Sequence, residues 1–179
     1  MNIGFDLDKV FVDYPPFIPH WIIDTLYKEK DNGILLYRVP GTFEQKLRQL
    51  SHTSFLRPPI KKNLSFLQSL SKEKKYNLYL ISSRFGFLKK QTEELAKKHN
   101  FYNIFKKLYF NYQNEQPHEF KNRVLQEIKI DRYIDDDLSL IKHLAKKNPK
   151  SIFYWLNARF KKTLANNILA VTDITEVIK

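Results

Sequence analysis

The chain of 179 residues has the length of a single domain, and 42% of its residues are hydrophobic, which is enough for a buried core. The absence of cysteine excludes disulfides, thiolate zinc sites and thiol nucleophiles. No apolar run is long enough to span a membrane and no signal peptide is recognisable, so we expect a cytoplasmic protein without a membrane partner. The net charge of +12 permits nucleic acid, but the lysine pairs are dispersed, which favours a solvated surface over a general preference for anionic ligands.

The first predicted element is a short apolar strand over residues 2–7, which carries aspartates towards its C-terminal end. Further short apolar runs predict strands at 77–82, 107–111, 132–135, 151–156 and 168–171. Between them, amphipathic patterns predict helices at 59–72, 89–98, 119–128 and 138–147. This alternation favours an α/β fold in which helices cover both faces of a mainly parallel, Rossmann-like sheet.

Residues 14–57 interrupt the alternation. They contain four prolines and two of the four glycines, and they predict two helices, at 17–30 and 43–52. Because this segment follows the first strand, it would stand above the C-terminal ends of the strands, where open α/β sheets bind ligands. We therefore predict a core formed by residues 1–13 and 58–179, and a small helical cap formed by residues 14–57.

Four groups of polar residues lie at or near the predicted strand ends. They are Asp6 with Asp8, the run Ser82, Ser83 and Arg84, the single Lys121, and the acidic run Asp135, Asp136 and Asp137. Each group alone is a weak signal. In a parallel sheet the C-terminal ends of the strands lie on one edge, so these groups can converge although the sequence separates them widely.

The spacing of Asp6 and Asp8 places two carboxylates on one side of the strand end. A cation would relieve their mutual repulsion, and a set of hard oxygen ligands favours Mg²⁺. Asp135 would supply a further ligand from another strand. A carboxylate held beside such a metal and aimed at the substrate is a plausible nucleophile towards phosphorus.

The order of these groups resembles the motifs of the haloacid dehalogenase (HAD) superfamily, which run DxD, Ser/Thr, Lys and paired acids. Here they stand as GFDLDKVFVD, LYLISSR, EFKNRVLQEI and RYIDDD, so the resemblance covers essentially the whole chain. Within the superfamily the chain looks most like the small-cap deoxyribonucleotidase-type members.

The resemblance implies a division of labour for phosphoryl transfer. Asp6 would attack the phosphoryl group and form an aspartyl-phosphate, while Asp8 would protonate the leaving oxygen and later activate water. Ser82 would bind the phosphoryl oxygens, with Ser83 and Arg84 beside it as substrate-binding residues. Lys121 would neutralise charge next to Asp6.

The resemblance also implies the magnesium ligands. Asp6, Asp135 and the backbone carbonyl of Asp8 would bind Mg²⁺ directly, and Asp136 would bind it directly or through water. Dehalogenases lack the second aspartate of the DxD motif, so Asp8 points to phosphate esters, whose alkoxide leaving group needs an acid. Lys9 departs from the glycine of many relatives, and it would either point to solvent or add positive charge at the substrate entrance.

Several assignments have alternatives. Lys107 and Lys129 could replace Lys121 as the site lysine, and Arg84 could bind the substrate phosphate or pair with a surface acid. Asp137 is expected to cap the helix that follows it. Four residues of the predicted cap could stack on a base or sugar, although aromatic residues at helical spacing are more often core: His20, Trp21, Tyr37 and Arg38.

The function predicted from these patterns is a magnesium-dependent phosphomonoester hydrolase for a nucleotide or another small phosphorylated metabolite. One alternative is the removal of phosphate from nucleic-acid ends, which the positive charge permits and a cap would hinder. Another is a non-catalytic binding or regulatory protein on the same fold, which the intact set of polar groups argues against.

Overall fold

Within the described residues, nine strands form two sheets. The computed structural model of the protein describes residues 1–15, 28–31, 34–156, 159 and 161–179. The larger sheet has seven strands in the order β5-β4-β1-β6-β7-β9-β8, and every neighbouring pair is parallel except β8 with β9. Its strands are β1 (Asn2–Phe5), β4 (Asn77–Ser82), β5 (Lys107–Phe110), β6 (Arg132–Asp135), β7 (Ile152–Leu156), β8 (Lys162–Ala165) and β9 (Ile168–Val171). The mainly parallel sheet predicted from the sequence is confirmed.

Six α-helices and two 3₁₀ helices connect the strands within the described residues. The α-helices are α1 (Thr42–Ser51), α2 (Lys61–Ser71), α3 (Lys89–Lys98), α4 (Phe101–Ile104), α5 (Pro117–Glu127) and α6 (Leu138–Lys147). The 3₁₀ helices are Gly86–Leu88 and Ile174–Ile178. Within the part of the chain that the structure describes, no helix has the length and apolar character needed to cross a membrane.

Apolar clusters pack on both faces of the large sheet. Strand β4 shows the division, because Leu78 and Leu80 belong to one cluster and Tyr79 and Ile81 to the other, as the alternation of side chains along a strand requires. The first cluster includes residues of α2, α3 and α4, and the second includes residues of α5 and α6. The predicted arrangement of helices on both faces is therefore confirmed.

The smaller sheet corrects one predicted element. Strands β2 (Lys28–Asp31) and β3 (Ile34–Tyr37) pair antiparallel, whereas the sequence pattern predicted a helix over 17–30. Residues 28–30 of that range are strand, and residues 17–27 lie outside the described residues. The two residues between the strands in the sequence are Asn32 and Gly33, a pair typical of two-residue hairpin loops, which favours a strand pair over a helix here. The assignment of residues 14–57 to a separate cap stays a prediction.

Helix α1 has an unusual distribution of side chains. Arg48 is only 5% exposed, whereas Phe43 is 76% exposed and Leu47 and Leu50 are also largely exposed. Arg48 forms an ion pair with Glu44, which also pairs with Arg38. The helix therefore turns charged side chains towards the rest of the protein.

Candidate active site

The strand order brings the predicted site residues together. Strand β1 lies between β4 and β6, so their C-terminal ends place Asp6, Ser82 and Asp135 on one edge of the sheet. A cavity of about 160 Å³ opens there. All the residues predicted to act in the site line this cavity: Asp6, Asp8, Ser82, Ser83, Arg84, Lys121, Asp135 and Asp136.

Lys121 joins the carboxylates of two strands. Its Nζ donates hydrogen bonds to Oδ1 of Asp6 at 2.6 Å and to Oδ2 of Asp135 at 2.7 Å. The hydroxyl of Tyr133 also donates to Oδ2 of Asp135, at 2.9 Å. Burial alone would lower the pKa of Lys121, but the carboxylates of Asp135 and Asp6 outweigh burial and raise it well above the usual value. Lys121 therefore stays charged inside the protein.

The position of Lys121 distinguishes it from the two other lysines that the sequence offered. Its side chain is 2% exposed, whereas that of Lys107 is 57% exposed and lies 3.4 Å from the carboxylate of Glu127. Lys129 is exposed as well, at the end of the α5 segment. Of the three lysines, Lys121 is the one whose ammonium group lies among the aspartates.

Three carboxylates meet in an arrangement that suits a hard cation. Asp6, Asp135 and Asp136 each offer an oxygen atom, and these atoms lie within 4.8 Å of one another. Two oxygen ligands of one octahedral Mg²⁺ lie at most about 4.2 Å apart, so a small contraction would let all three bind. With Lys121 as the only cation in direct contact among the described residues, the cluster keeps two uncompensated negative charges when fully ionised, which a divalent cation would balance.

The pKa values of two of these acids reflect the crowding of negative charge. Burial, opposed by Lys121 and reinforced by Asp135 and Asp8, raises the pKa of Asp6 to about 7. Burial together with the charges of Asp135 and Asp6 raises the pKa of Asp136 well above its usual value. A bound cation would remove this repulsion and favour the ionised forms.

Asp8 faces a different set of partners. Arg84 donates two hydrogen bonds to its carboxylate, from Nε to Oδ2 at 2.8 Å and from Nη2 to Oδ1 at 2.7 Å. Arg57 donates a third from Nη1 to Oδ1 at 3.1 Å. Burial would raise the pKa of Asp8, but the two guanidinium groups outweigh burial and hold it well below the usual value. Arg84 thus binds a carboxylate of the site, not a surface acid.

Two of the residues beside Asp8 were missed by sequence reasoning. Arg57 is buried and contacts both Asp8 and Nε2 of His52. His52 is also buried, and its Nδ1 lies 2.8 Å from the backbone carbonyl oxygen of Arg48. Burial and the charge of Arg57 lower the pKa of His52 well below its usual value, so the ring is neutral. Neither residue belongs to a recognisable motif.

Lys9, in the loop after β1, has a backbone conformation that favours glycine. Its φ of 61° lies in the left-handed region, which favours glycine and accounts for the glycine expected there by resemblance. Its Nζ donates to Oδ1 of Asp13 at 2.8 Å and lies 4.9 Å from the ring centroid of Tyr14, which lines the cavity.

A side-chain hydrogen bond connects the end of strand β3 to the acidic loop after β6. The hydroxyl of Tyr37 donates to Oδ2 of Asp137 at 2.8 Å, and the Tyr37 amide and carbonyl both bond to the side chain of Gln116. Oδ1 of Asp137 accepts from the amides of Ser139 and Leu140, which confirms Asp137 as the cap of α6. The Tyr37 ring lines the cavity as one wall.

Of the other predicted stacking residues, Arg38 pairs with Glu44 of α1. His20 and Trp21 lie outside the described residues. Apolar side chains also line the cavity: Phe85, Leu88, Pro117 and Leu140.

Comparison with known proteins identifies the fold. No family model and no curated protein sequence matches the chain. A HAD family enzyme from Bacteroides thetaiotaomicron, an aspartate-to-alanine mutant in complex with magnesium and inorganic phosphate, is 16% identical with a TM-score of 0.60, and the match covers 99% of this chain and 98% of that one. A haloacid dehalogenase-like family hydrolase from Xanthomonas campestris is 12% identical with a TM-score of 0.59, over 96% of this chain and 90% of that one.

A further match comes from a larger chain. A chain of the Pnkp1/Rnl/Hen1 RNA repair complex is 15% identical with a TM-score of 0.55, and the match covers 87% of this chain. The present chain spans only 42% of the length of that one. At these levels of identity the three likenesses establish a HAD-like α/β fold.

Proposed function

We propose that the protein belongs to the HAD superfamily and hydrolyses phosphate monoesters of nucleotides or other small phosphorylated metabolites in a magnesium-dependent reaction. The observation that carries the proposal is the convergence of Asp6, Lys121 and Asp135 in one buried ion-pair cluster inside a cavity that Ser82 and Arg84 also line. A candidate nucleophile, a positive charge beside it and candidate anion-binding groups therefore line the same cavity.

Asp6 is the proposed nucleophile. One of its carboxylate oxygens would bond to phosphorus while the bond from phosphorus to the ester oxygen breaks, which leaves an aspartyl-phosphate. Lys121 would hold the Asp6 carboxylate in place and offset charge that develops on the phosphoryl oxygens. Its second hydrogen bond, to Asp135, fixes its position from the neighbouring strand.

The acidic cluster is the proposed metal site. Asp6, Asp135 and Asp136 would hold Mg²⁺, with the backbone carbonyl of Asp8 as a further ligand. The bound ion would supply positive charge to the phosphoryl oxygens. The Ser82 hydroxyl and the Arg84 guanidinium would bind phosphoryl oxygens from the opposite wall, and Ser83 would line the same wall.

Asp8 is the proposed acid and base. It would give a proton to the departing ester oxygen and later take one from the water that hydrolyses the aspartyl-phosphate. In the substrate-free protein Arg84 and Arg57 keep its carboxylate ionised. The proposal therefore requires Arg84 to exchange Asp8 for the substrate phosphate before the proton transfer.

Phosphate at a nucleic-acid end is a second candidate substrate. The likeness to a chain of an RNA repair complex and the net charge of +12 both favour it. The cavity volume of about 160 Å³ favours a small substrate.

Phosphate release tests the proposal and separates the two candidates. The substrates are an aryl phosphate, a panel of ribo- and deoxyribonucleoside monophosphates, and oligonucleotides with a 5′ or a 3′ phosphate, each with Mg²⁺ or with a chelator. We expect Mg²⁺-dependent release that Asp6→Asn abolishes, with a preference for the monophosphates. A preference for the oligonucleotides would favour the second candidate. No release from any substrate by folded, Mg²⁺-supplied protein would contradict both.

A further inference from the structure

We propose that Arg57 is a positioning residue for Asp8 and that His52 orients Arg57. When Arg84 moves to the substrate phosphate, Arg57 holds the Asp8 carboxylate at the cavity. This inference rests on the proposed phosphatase function and extends it to two residues outside the motif groups. His52 is the residue that directly follows α1.

The guanidinium of Arg57 has a partner for each of its three nitrogens. Nη1 donates to Oδ1 of Asp8 at 3.1 Å, Nε donates to the carbonyl oxygen of Ser51 at 3.3 Å, and Nη2 contacts Nε2 of His52. The side chain is 2% exposed, so it has little room to rearrange. A lysine would bring the same charge but has a single nitrogen, so it could not keep all three contacts.

The hydrogen bonds of His52 determine how its ring meets Arg57. Nδ1 lies 2.8 Å from the carbonyl oxygen of Arg48, which can only accept, so Nδ1 carries the proton. In the neutral ring Nε2 then has a lone pair and accepts from Nη2 of Arg57. His52 therefore fixes the plane of the guanidinium and leaves its charge unchanged.

The two arginines differ in their relation to the cavity. Arg84 lines it and binds both carboxylate oxygens of Asp8, whereas Arg57 is not among the lining residues and binds Oδ1 alone. When a phosphate dianion draws Arg84 away, Oδ1 stays bound to Arg57 and Oδ2 is left facing the cavity. From this position Asp8 would give its proton to the ester oxygen as the bond from that oxygen to phosphorus breaks and Asp6 bonds to phosphorus.

This division of roles predicts a selective defect. An acid matters most for a poor leaving group, because an activated phenolate departs without protonation and an alkoxide does not. The ratio kcat/KM reports the steps up to departure of the leaving group, so it isolates this proton transfer from the later hydrolysis of the aspartyl-phosphate. A purely structural loss would lower kcat/KM for all esters alike.

The test compares Arg57→Gln, Arg57→Lys and His52→Phe with wild type on phosphate monoesters whose leaving groups range from an activated phenol to a simple alkanol. We expect kcat/KM for the alkyl ester to fall on the order of 100-fold in both Arg57 variants, and for the activated aryl ester by less than about 10-fold. His52→Phe should show the same selectivity with a smaller loss. Lys46→Gln, at an exposed position of α1, is the matched control and should change neither value.

Equal losses on all esters, or no loss, would overturn the positioning role. His52→Gln, which keeps a hydrogen-bond acceptor beside Arg57, should retain more alkyl-ester activity than His52→Phe, so the test survives if Arg57→Gln does not fold. Wild type that releases no phosphate from any ester would overturn the proposed function and this inference together. Wild-type turnover that Asp6→Asn abolishes, combined with unselective Arg57 variants, would overturn this inference alone.

Discussion

The ammonium group of Lys121 lies 2.6 Å from Asp6 and 2.7 Å from Asp135, although the three residues come from a helix and two separate strands. These two ion pairs make the buried ammonium group of Lys121 the partner that stabilises both carboxylates. It also places the positive charge of Lys121 against the carboxylate that is proposed to attack phosphorus.

Replacing Lys121 with methionine should damage both stability and activity. The carboxylates of Asp6 and Asp135 would lose their buried partner, which we expect to cost about 3–5 kcal/mol of the free energy of unfolding without Mg²⁺. Added Mg²⁺ should recover part of this loss, and turnover should fall on the order of 100-fold or more. Urea unfolding with and without Mg²⁺ and phosphate release measure the two effects. Lys107→Met, at an exposed lysine, should stay within about 0.5 kcal/mol of wild type; equal behaviour of the two variants would contradict this account.

The raised pKa of Asp6 predicts how pH acts on the metal-free protein. A carboxyl with a folded-state pKa of about 7, against 3.8 as its ordinary value, binds more protons when folded, so it lowers stability as pH rises between these values. Buried His52 acts in the opposite direction, so the comparison must be made between wild type and Asp6→Asn. We expect wild type to lose stability relative to the variant between about pH 4 and about pH 7. A constant difference would contradict the raised pKa.

Magnesium should act on the same groups with the opposite pH dependence. Binding requires ionised carboxylates, so the stabilisation by Mg²⁺ should increase as pH rises through about 7. Thermal unfolding at fixed Mg²⁺ concentration measures the shift at each pH, and Asp135→Asn should remove most of it. A shift that is independent of pH would argue against a site formed by these acids.

Tyr37→Phe removes the hydroxyl that donates to Asp137 and leaves the ring in place. Because Tyr37 is buried and the acceptor is a carboxylate, we expect a loss of about 1.5–3 kcal/mol in the free energy of unfolding. Tyr109→Phe is the matched control, since Tyr109 donates to Glu127 at the surface, and it should lose less than about 1 kcal/mol. Chemical unfolding of the two variants measures the difference. Similar losses of unfolding free energy would contradict a larger stabilisation by the Tyr37 hydrogen bond than by the surface one.

Gly4 tests the packing that sets the position of β1. A Cβ atom there would lie 2.8 Å from Cδ2 of Tyr133 and 3.2 Å from side-chain atoms of Ile130 and Ile81. Gly4→Ala should therefore destabilise the protein by about 1–3 kcal/mol and weaken the Mg²⁺ effect, since β1 carries Asp6. Gly41→Ala meets no atom within 4 Å and should cost less than about 1 kcal/mol. A Gly4 variant as stable as the Gly41 variant would contradict this description of the packing.

The residues on the sheet edge were predictable because one topological rule applies to all of them. Parallel strands end on the same side, so Asp6, Ser82 and Asp135 converge whatever the chain does between them. Lys121 was less certain, since its helical environment does not distinguish it from other lysines until the packing of α5 is known. The helices and strands with clear apolar periodicity were likewise found within a few residues of their bounds.

Other features depend on contacts that no local pattern encodes. Arg57 contacts Asp8, and His52 contacts Arg57, through tertiary packing, and an isolated arginine or histidine in a sequence carries no signal of such contacts. The hairpin β2–β3 was missed for a different reason, since its Asn32-Gly33 signal was present in the sequence but the neighbouring residues were interpreted as helix. The structure and contacts of residues outside the motif groups therefore depend on tertiary packing.

The proposed aspartyl-phosphate gives the most direct test of the central claim. Wild-type protein is mixed with Mg²⁺ and a phosphate monoester, quenched rapidly in acid, digested and analysed by mass spectrometry. We predict one phosphoryl group on the peptide that contains Asp6, absent from Asp6→Asn and from samples treated with chelator. Mg²⁺-dependent phosphate release that continues in Asp6→Asn, with no phosphoryl group on that peptide, would contradict the mechanism.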